Sequence, residues 1–207
     1  MPPRTRAVRA DGARSRAAIL GQAMALASTA GLDGLSIGDL AAATGMSKGG
    51  LYAHFGSKQD LQLAVIRAAR EVFIAQIITP ALQHHSPLGQ LRVLAEGFLQ
   101  YVEDRVFPGG CFFVSAAAEF GARPGPVRQE VAAAQRDWAQ LLQSVATRAR
   151  DTGELPAHTD PGQLGFQLAS LLAGANLTYV LHDDPVLLDR ARQAVHTLLA
   201  SPEPGAP

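Results

Sequence analysis

Lysine is nearly missing from this 207-residue chain: sixteen of its eighteen formal positive charges are arginines, and its two lysines, Lys48 and Lys58, stand ten positions apart. Cys111 is the single cysteine, which excludes an internal disulfide and suits a reducing cytoplasm. Net formal charge is zero, so the total says nothing about partners. No stretch alternates apolar and polar residues as a half-buried strand must, which excludes a sheet-based core. The chain also lacks a Gly-x-Ser-x-Gly elbow, a phosphate-cradling glycine loop, paired carboxylates and a metal-ligand cluster. His84 and His85 are adjacent and diverge by about 100° on a helix, while His158, His182 and His196 have no ligand spacing. These absences speak against an enzyme, a bound metal and a cofactor.

Two apolar runs invite a membrane reading. The segment after the first arginines, "AAILGQAMALASTA", mimics a signal peptide, but Ile19, Leu20, Ala23, Met24 and Ala27 recur at helical spacing and describe one face of a soluble helix. The run Pro161 to His182 carries Gln163, Gln167, Ser170, Asn176 and Thr178 and is flanked by acids, which fits a buried helix. The expected location is the cytoplasm, with no membrane partner.

What is present is a series of alanine- and leucine-rich amphipathic stretches separated by Gly, Pro and Asp, predicting an all-α fold. Helices are expected near 13–30, 36–43, 47–53, 57–80, 87–105, 110–120, 126–151, 161–181 and 184–200. Ser36 with Asp39, and Ser57 with Asp60, have capping-box spacing. Asp160-Pro161 and Asp184-Pro185 each place a cap before a first-turn proline. Charge is unevenly spread: residues 1–60 hold seven Lys/Arg against four Asp/Glu, and residues 61–207 hold eleven against fourteen. Five of those arginines (Arg4, Arg6, Arg9, Arg14, Arg16) lie in the first sixteen residues, a basic front end that suits contact with a polyanion. Residues 1–12 read as a basic disordered arm, and the tail 201–207 also reads as disordered.

Both lysines fall in "TGMSKGGLYAHFGSKQDL". Ser36 to Phe55 reads as helix, turn, helix: Ile37, Leu40 and Ala41 face inward, Gly45 takes the positive φ of a tight turn, and Ser47 caps a second helix that points Leu51 and Phe55 inward. The second helix of such a pair enters the DNA major groove with its N-terminal residues at base edges. Gly49 and Gly50 each cost ~1 kcal/mol of helix propensity, tolerable where a bulky side chain would hold the helix off the groove. Lys48 suits guanine O6/N7 or a nearby phosphate, Tyr52 and His54 present polar tips to the phosphate backbone, and Lys58 adds a charge beside a helix start.

Residues from about Ile19 to Ile66, and above all "AGLDGLSIGDLAAATGMSKGGLYAHFGSKQDL", resemble the TetR family of bacterial repressors; "LYAHFGSKQDL" is close to that family's Leu-Tyr-x-His-Phe-x-x-Lys-x-x-Leu signature. The resemblance implies DNA contact by Lys48, Gly49, Gly50, Tyr52, His54 and Lys58 around the Ser47 cap, with Leu51 and Phe55 holding the helix in place. Gly38 departs from the pattern, standing where some members carry a base-contacting arginine. Residues 67–207 resemble the family in layout, with "GGCFF" and "DPGQLGFQLASLLAGANL" as the matching stretches. That layout implies long helices around a ligand cavity and a final helix pair that builds a dimer.

The expected organisation is an N-terminal three-helix helix-turn-helix domain over 1–60, then a larger helical domain for effector binding and dimerisation over 61–207. Phe73, Phe98, Tyr101, Phe113 and Trp138 fall on central helices that are otherwise mostly alanine and leucine, and with Asn176 and Tyr179 they are the pocket candidates. Gly165, Ala169 and Ala173 recur at i, i+4, i+8 as a smooth strip, joined by Leu187 and Val195 as dimer-interface candidates. The functional expectation is a ligand-responsive transcriptional repressor: a homodimer on a palindromic double-stranded operator, released by a small-molecule effector. The alternatives are a DNA-binding regulator without an effector and, remotely, an enzyme.

Overall fold

Hydroxyl and carboxylate caps mark where most helices begin. In the computed structural model, which describes residues 4–200 and their side chains from Ser15 onward, all regular structure among the described residues is helical. The order is α1 Arg4–Ala30, α2 Ile37–Thr44, α3 Lys48–Phe55, α4 Lys58–Phe73, a π-helical stretch Ile74–Ile78, α5 Thr79–Leu82, α6 Pro87–Glu103, α7 Phe112–Phe120, α8 Pro126–Asp151, α9 Pro161–His182 and α10 Val186–Leu198. The Ser36 hydroxyl accepts from the Asp39 N–H at 3.0 Å and donates to the Asp39 carboxylate at 2.6 Å. Ser57 and Asp60 repeat the arrangement at the start of α4. Asp160 accepts from the N–H groups of Gly162 and Gln163 ahead of α9, and Asp184 accepts from Val186 N–H at 3.0 Å ahead of α10.

Two stretches differ from the expected pattern. The helix anticipated from residue 13 begins at Arg4, so residues 4–12 continue α1 as backbone; Ala and Arg are among the best helix formers. The tail 201–207 lies outside the described residues. The helix anticipated over 57–80 is regular only to Phe73, after which Thr79 N–H donates to Ile74 O five residues back. Pro80 supplies the reason. It has no N–H for the carbonyl four residues earlier and its ring crowds that carbonyl, so a widened turn before it relieves the clash.

The chain forms two compact units, residues 1–70 with 107–131, and residues 71–106 with 132–207. In the first unit, Ile19, Ala23 and Ala27 of α1, Leu40 of α2, Leu51 and Phe55 of α3, and Leu61 and Val65 of α4 are buried together with Phe112 of α7. Each large side chain so buried contributes about 1.5–3 kcal/mol. The later segment meets the end of α1 closely: a Cβ at Gly109 would come 1.8 Å from the Ser28 carbonyl oxygen, so only glycine permits the crossing. Ser28 also accepts from Gly109 N–H at 3.2 Å.

In the second unit α6 packs against both α9 and α10, with Leu91, Leu94, Leu99, Leu168, Leu172 and Leu188 fully buried. Arg192 of α10 binds Glu96 and Glu103 of α6 and Asp189 of its own helix, at 3.0, 2.5 and 3.1 Å. Glu154 accepts from Leu88 N–H and the Ser86 hydroxyl, closing the start of α6 from across the unit; these bonds hold its carboxyl below the usual range. By length and composition α9 alone among the described residues could cross a membrane. Its buried Leu164, Leu168, Leu172 and Asn176 instead make it a core helix of this unit.

Cys111 is buried at the start of α7, and burial pushes its thiol up to about 11. At neutral pH it stays a thiol, the form that neither attacks nor oxidises readily.

Candidate nucleic-acid interface

The helix pair is built as its sequence demands. α2 ends at Gly45, whose φ of 66° lies in the left-handed region and whose N–H donates to Ala41 O. Two residues later Ser47 caps α3, accepting from Gly50 N–H at 3.1 Å. Leu51 and Phe55, one turn apart, are 0 % and 4 % exposed and fix the rotation of α3 about its axis. Arg16 locks its far end from α1, donating to the His54 carbonyl at 2.7 Å while its guanidinium lies 4.6 Å from the Phe55 ring centroid. Cation and ring at that distance attract, adding to the anchoring.

This rotation leaves a defined outer face. Lys48 and Gly49 are exposed, Tyr52 is 51 % exposed and His54 is half-buried. The two glycines differ. No atom lies within 4 Å of a Cβ placed on Gly49, whereas one on Gly50 would sit 3.3 Å from the Ser47 hydroxyl. Gly49 therefore opens outward and Gly50 accommodates the cap. The Lys48 stem runs past Gly38 of α2, where a Cβ would be 3.7 Å from its Cε and 3.8 Å from its Nζ, ordinary contact. A flat, capped helix start with an ammonium, a phenol and a glycine on one side can approach a groove closely and donate to base or phosphate oxygens.

Lys58 is placed differently from its neighbours. Its ammonium donates to the Asp33 carbonyl at 2.5 Å and lies 3.5 Å from the Asp33 carboxylate, with about half of its side chain exposed. Asp33, in the turn between α1 and α2, also receives Arg123 at 2.7 Å on its other carboxylate oxygen. Its N–H and that of Leu32 both donate to the Glu119 carboxylate at 2.8 Å. The Arg123 hydrogen bond first, and then the Lys58 charge, hold the Asp33 carboxyl below the usual range. Sequence reasoning missed these roles of Asp33, Glu119 and Arg123, and it gave Arg16 to the basic front end, whereas Arg16 holds the His54 carbonyl and the Phe55 ring. Their partners lie 25 to 90 residues away, and no local pattern reports such pairs.

Of the pocket candidates, four converge in the second unit. The Phe73 ring meets Tyr101 at 5.9 Å, Phe98 at 6.3 Å and Trp138 at 5.2 Å, all edge-on, while Phe98 and Trp138 stack at 6.4 Å. Asn176 and Tyr179 are buried on α9 of the same unit, with Arg105 over the Tyr179 ring at 5.4 Å. Phe113 belongs to the first unit, where it packs edge-on against Phe112 at 5.4 Å.

The interface candidates do not share one exposed face. Gly165 is buried against α8 of its own chain, where a Cβ would come 3.1 Å from the Gln143 backbone nitrogen, and Val195 is 7 % exposed. Residues four apart on a helix drift by about 40°, so a strip buried at Gly165 has turned outward to half-buried at Ala169 and Ala173; Leu187 is half-buried as well. The apolar face that α9 leaves open consists of Phe166, Leu177 and Leu181, which are 67 %, 54 % and 77 % exposed.

Comparisons with known proteins agree with this geometry. The sequence model for bacterial regulatory proteins of the tetR family matches residues 19–65, and that for the tetracyclin repressor-like C-terminal domain matches residues 87–195. No curated relative matches by sequence. Among solved structures, a TetR transcriptional regulator from Chloroflexus aurantiacus is 26 % identical with a TM-score of 0.84, covering 90 % of this chain and 94 % of that one. The TetR-family regulator SCO4454 of Streptomyces coelicolor is 24 % identical with a TM-score of 0.79, covering 90 % and 95 %. AibR, solved in complex with isovaleryl coenzyme A and operator DNA, is 21 % identical with a TM-score of 0.72, covering 89 % and 98 %. The C-terminal model alone spans more than half of the chain, and with the N-terminal match it settles the assignment: this chain belongs to the TetR family of bacterial transcriptional regulators.

Proposed function

We propose that the protein is a cytoplasmic, ligand-responsive repressor that binds a palindromic operator as a homodimer and is released by a small molecule. The observation that carries this reading is the pairing of an outward, glycine-flattened α3 in one unit with an aromatic cluster in the other. Lys48 reads a base edge, Ser47, Gly49 and Gly50 let the helix seat, and Tyr52, His54 and Lys58 meet phosphates. The open face of α9 joins two copies. Phe166, Ser170, Ala173, Leu177 and Leu181 fall within an arc of about 80° along some 22 Å of helix, a self-complementary seam for a two-fold interface.

The effector site is assigned to Phe73, Phe98, Tyr101 and Trp138, with Asn176 and Tyr179 on α9. Phe73 directly precedes the π-helical stretch, a feature that recurs at functional sites because it re-aims side chains. AibR supports the combination, since a protein of the same fold holds both a small molecule and operator DNA.

The experiment is a titration that reads Trp138, the only tryptophan. Effectors found by screening apolar small molecules should change its emission. Their affinity should then fall by roughly 5–150-fold when operator DNA is bound, because coupling between two sites is reciprocal. Equal affinities with and without operator would leave a DNA-binding regulator without an effector.

A further inference from the structure

Lys58 is one of two lysines in the chain, yet its charge is already committed to Asp33. Asp33 in turn is held from a segment far along the chain: Arg123 takes its second carboxylate oxygen at 2.7 Å, and Glu119 takes its N–H at 2.8 Å. Arg123 is additionally steadied by the Phe120 ring, 5.5 Å from its guanidinium. Three charges thus lie in a row, Lys58, Asp33, Arg123, with each cationic side chain about half exposed.

We propose that Asp33 and Arg123 are positioning residues for Lys58, setting together how much of its charge is available to a DNA phosphate. The inference rests on the reading that Lys58 meets a phosphate. A phosphate that approaches Lys58 also approaches the Asp33 carboxylate, which competes for the ammonium and repels the newcomer. Arg123 neutralises that carboxylate and draws it away. With Arg123 in place the row presents one net positive charge; without Arg123 it presents none; without the Asp33 charge it presents two. Arg123 and Glu119 lie in residues 107–131, a segment joined at both ends to the second unit by the chain itself. Any shift of that segment therefore alters the claim of Asp33 on Lys58.

The test needs no knowledge of the operator. A labelled random-sequence duplex is titrated by anisotropy at several salt concentrations, with thermal unfolding of every variant as the folding control. Each charge change should move Kd by roughly two- to fivefold, the scale of an exposed ion pair. Arg123→Gln should weaken binding, Arg123→Lys should restore it, and Asp33→Asn should tighten it. In the Asp33→Asn background Arg123→Gln should lose most of its effect, and in the Lys58→Ala background Asp33→Asn should lose most of its gain. If Arg123→Gln costs the same with and without the Asp33 charge, Arg123 touches DNA itself and the positioning role is overturned. An Asp33→Asn gain that survives Lys58→Ala intact overturns it equally, since bulk charge then suffices. A Lys58→Ala protein with wild-type affinity and salt slope overturns the phosphate contact underneath, a failure distinct from an additive cycle.

Discussion

Changing Leu177 and Leu181 together to aspartate should yield a folded monomer that no longer holds its operator. Both leucines are more than half exposed, so the chain's own core does not depend on them. In a two-fold interface the change removes four leucines, each contributing about 1.5–3 kcal/mol when fully buried. It also sets four carboxylates across a seam that excludes water, where unpaired charge is strongly unfavourable. Sedimentation should show a monomer at micromolar concentration with unchanged helical content. Operator affinity should drop by roughly two orders of magnitude or more, since linking two half-site contacts is what multiplies affinity. Gly165→Leu makes a different comparison: its side chain would enter α8 of the same chain, so it should destabilise the monomer instead. A Leu177/Leu181 double aspartate that remains dimeric would place the interface elsewhere.

Gly49→Leu should stabilise the protein and disable it. Glycine inside a helix costs about 0.8–1 kcal/mol relative to the best helix formers, and nothing lies within 4 Å of a Cβ placed there. The melting temperature should therefore rise. Operator affinity should fall at least about tenfold, a loss of 1.4 kcal/mol or more, because an isobutyl group on the outer face of α3 holds the helix away from the base edges. Gly49→Ala should give the same stabilisation with a much smaller loss. Gain of stability with unchanged affinity in Gly49→Leu would show that this face does not dock.

The legible parts of the sequence were those governed by local physics. Ser36, Ser47, Ser57 and Asp160 each bond the N–H groups their spacing promised, Gly45 takes its positive φ, and Leu51 with Phe55 turns inward. Phe98 and Tyr101 of α6 and Trp138 of α8 meet around Phe73, among the buried leucines of α6. Contacts across long sequence separations were not legible. Nothing near Asp33 announces Glu119 or Arg123, some ninety residues on. The small-residue strip on α9 carried a real signal for close helix approach, but spacing alone does not say whose helix approaches; at Gly165 it is the chain's own α8. The π-helical stretch was likewise hidden, because its cause is one proline acting on the turn before it.

The proposed function turns on α3 reading a two-fold operator through Lys48. Repeated selection of bound duplexes from a random library, carried out with the wild-type protein and with Lys48→Ala, tests it most directly. The wild type should enrich inverted half-sites whose centres lie about one helical turn, ~34–36 Å, or a small multiple of it apart. Lys48→Ala should retain binding and the two-fold symmetry but flatten preference at the positions Lys48 contacts, since a lost base contact relaxes discrimination there by about 1–3 kcal/mol. Enrichment of a single asymmetric site, or identical sequence preferences in the two proteins, would contradict the claim.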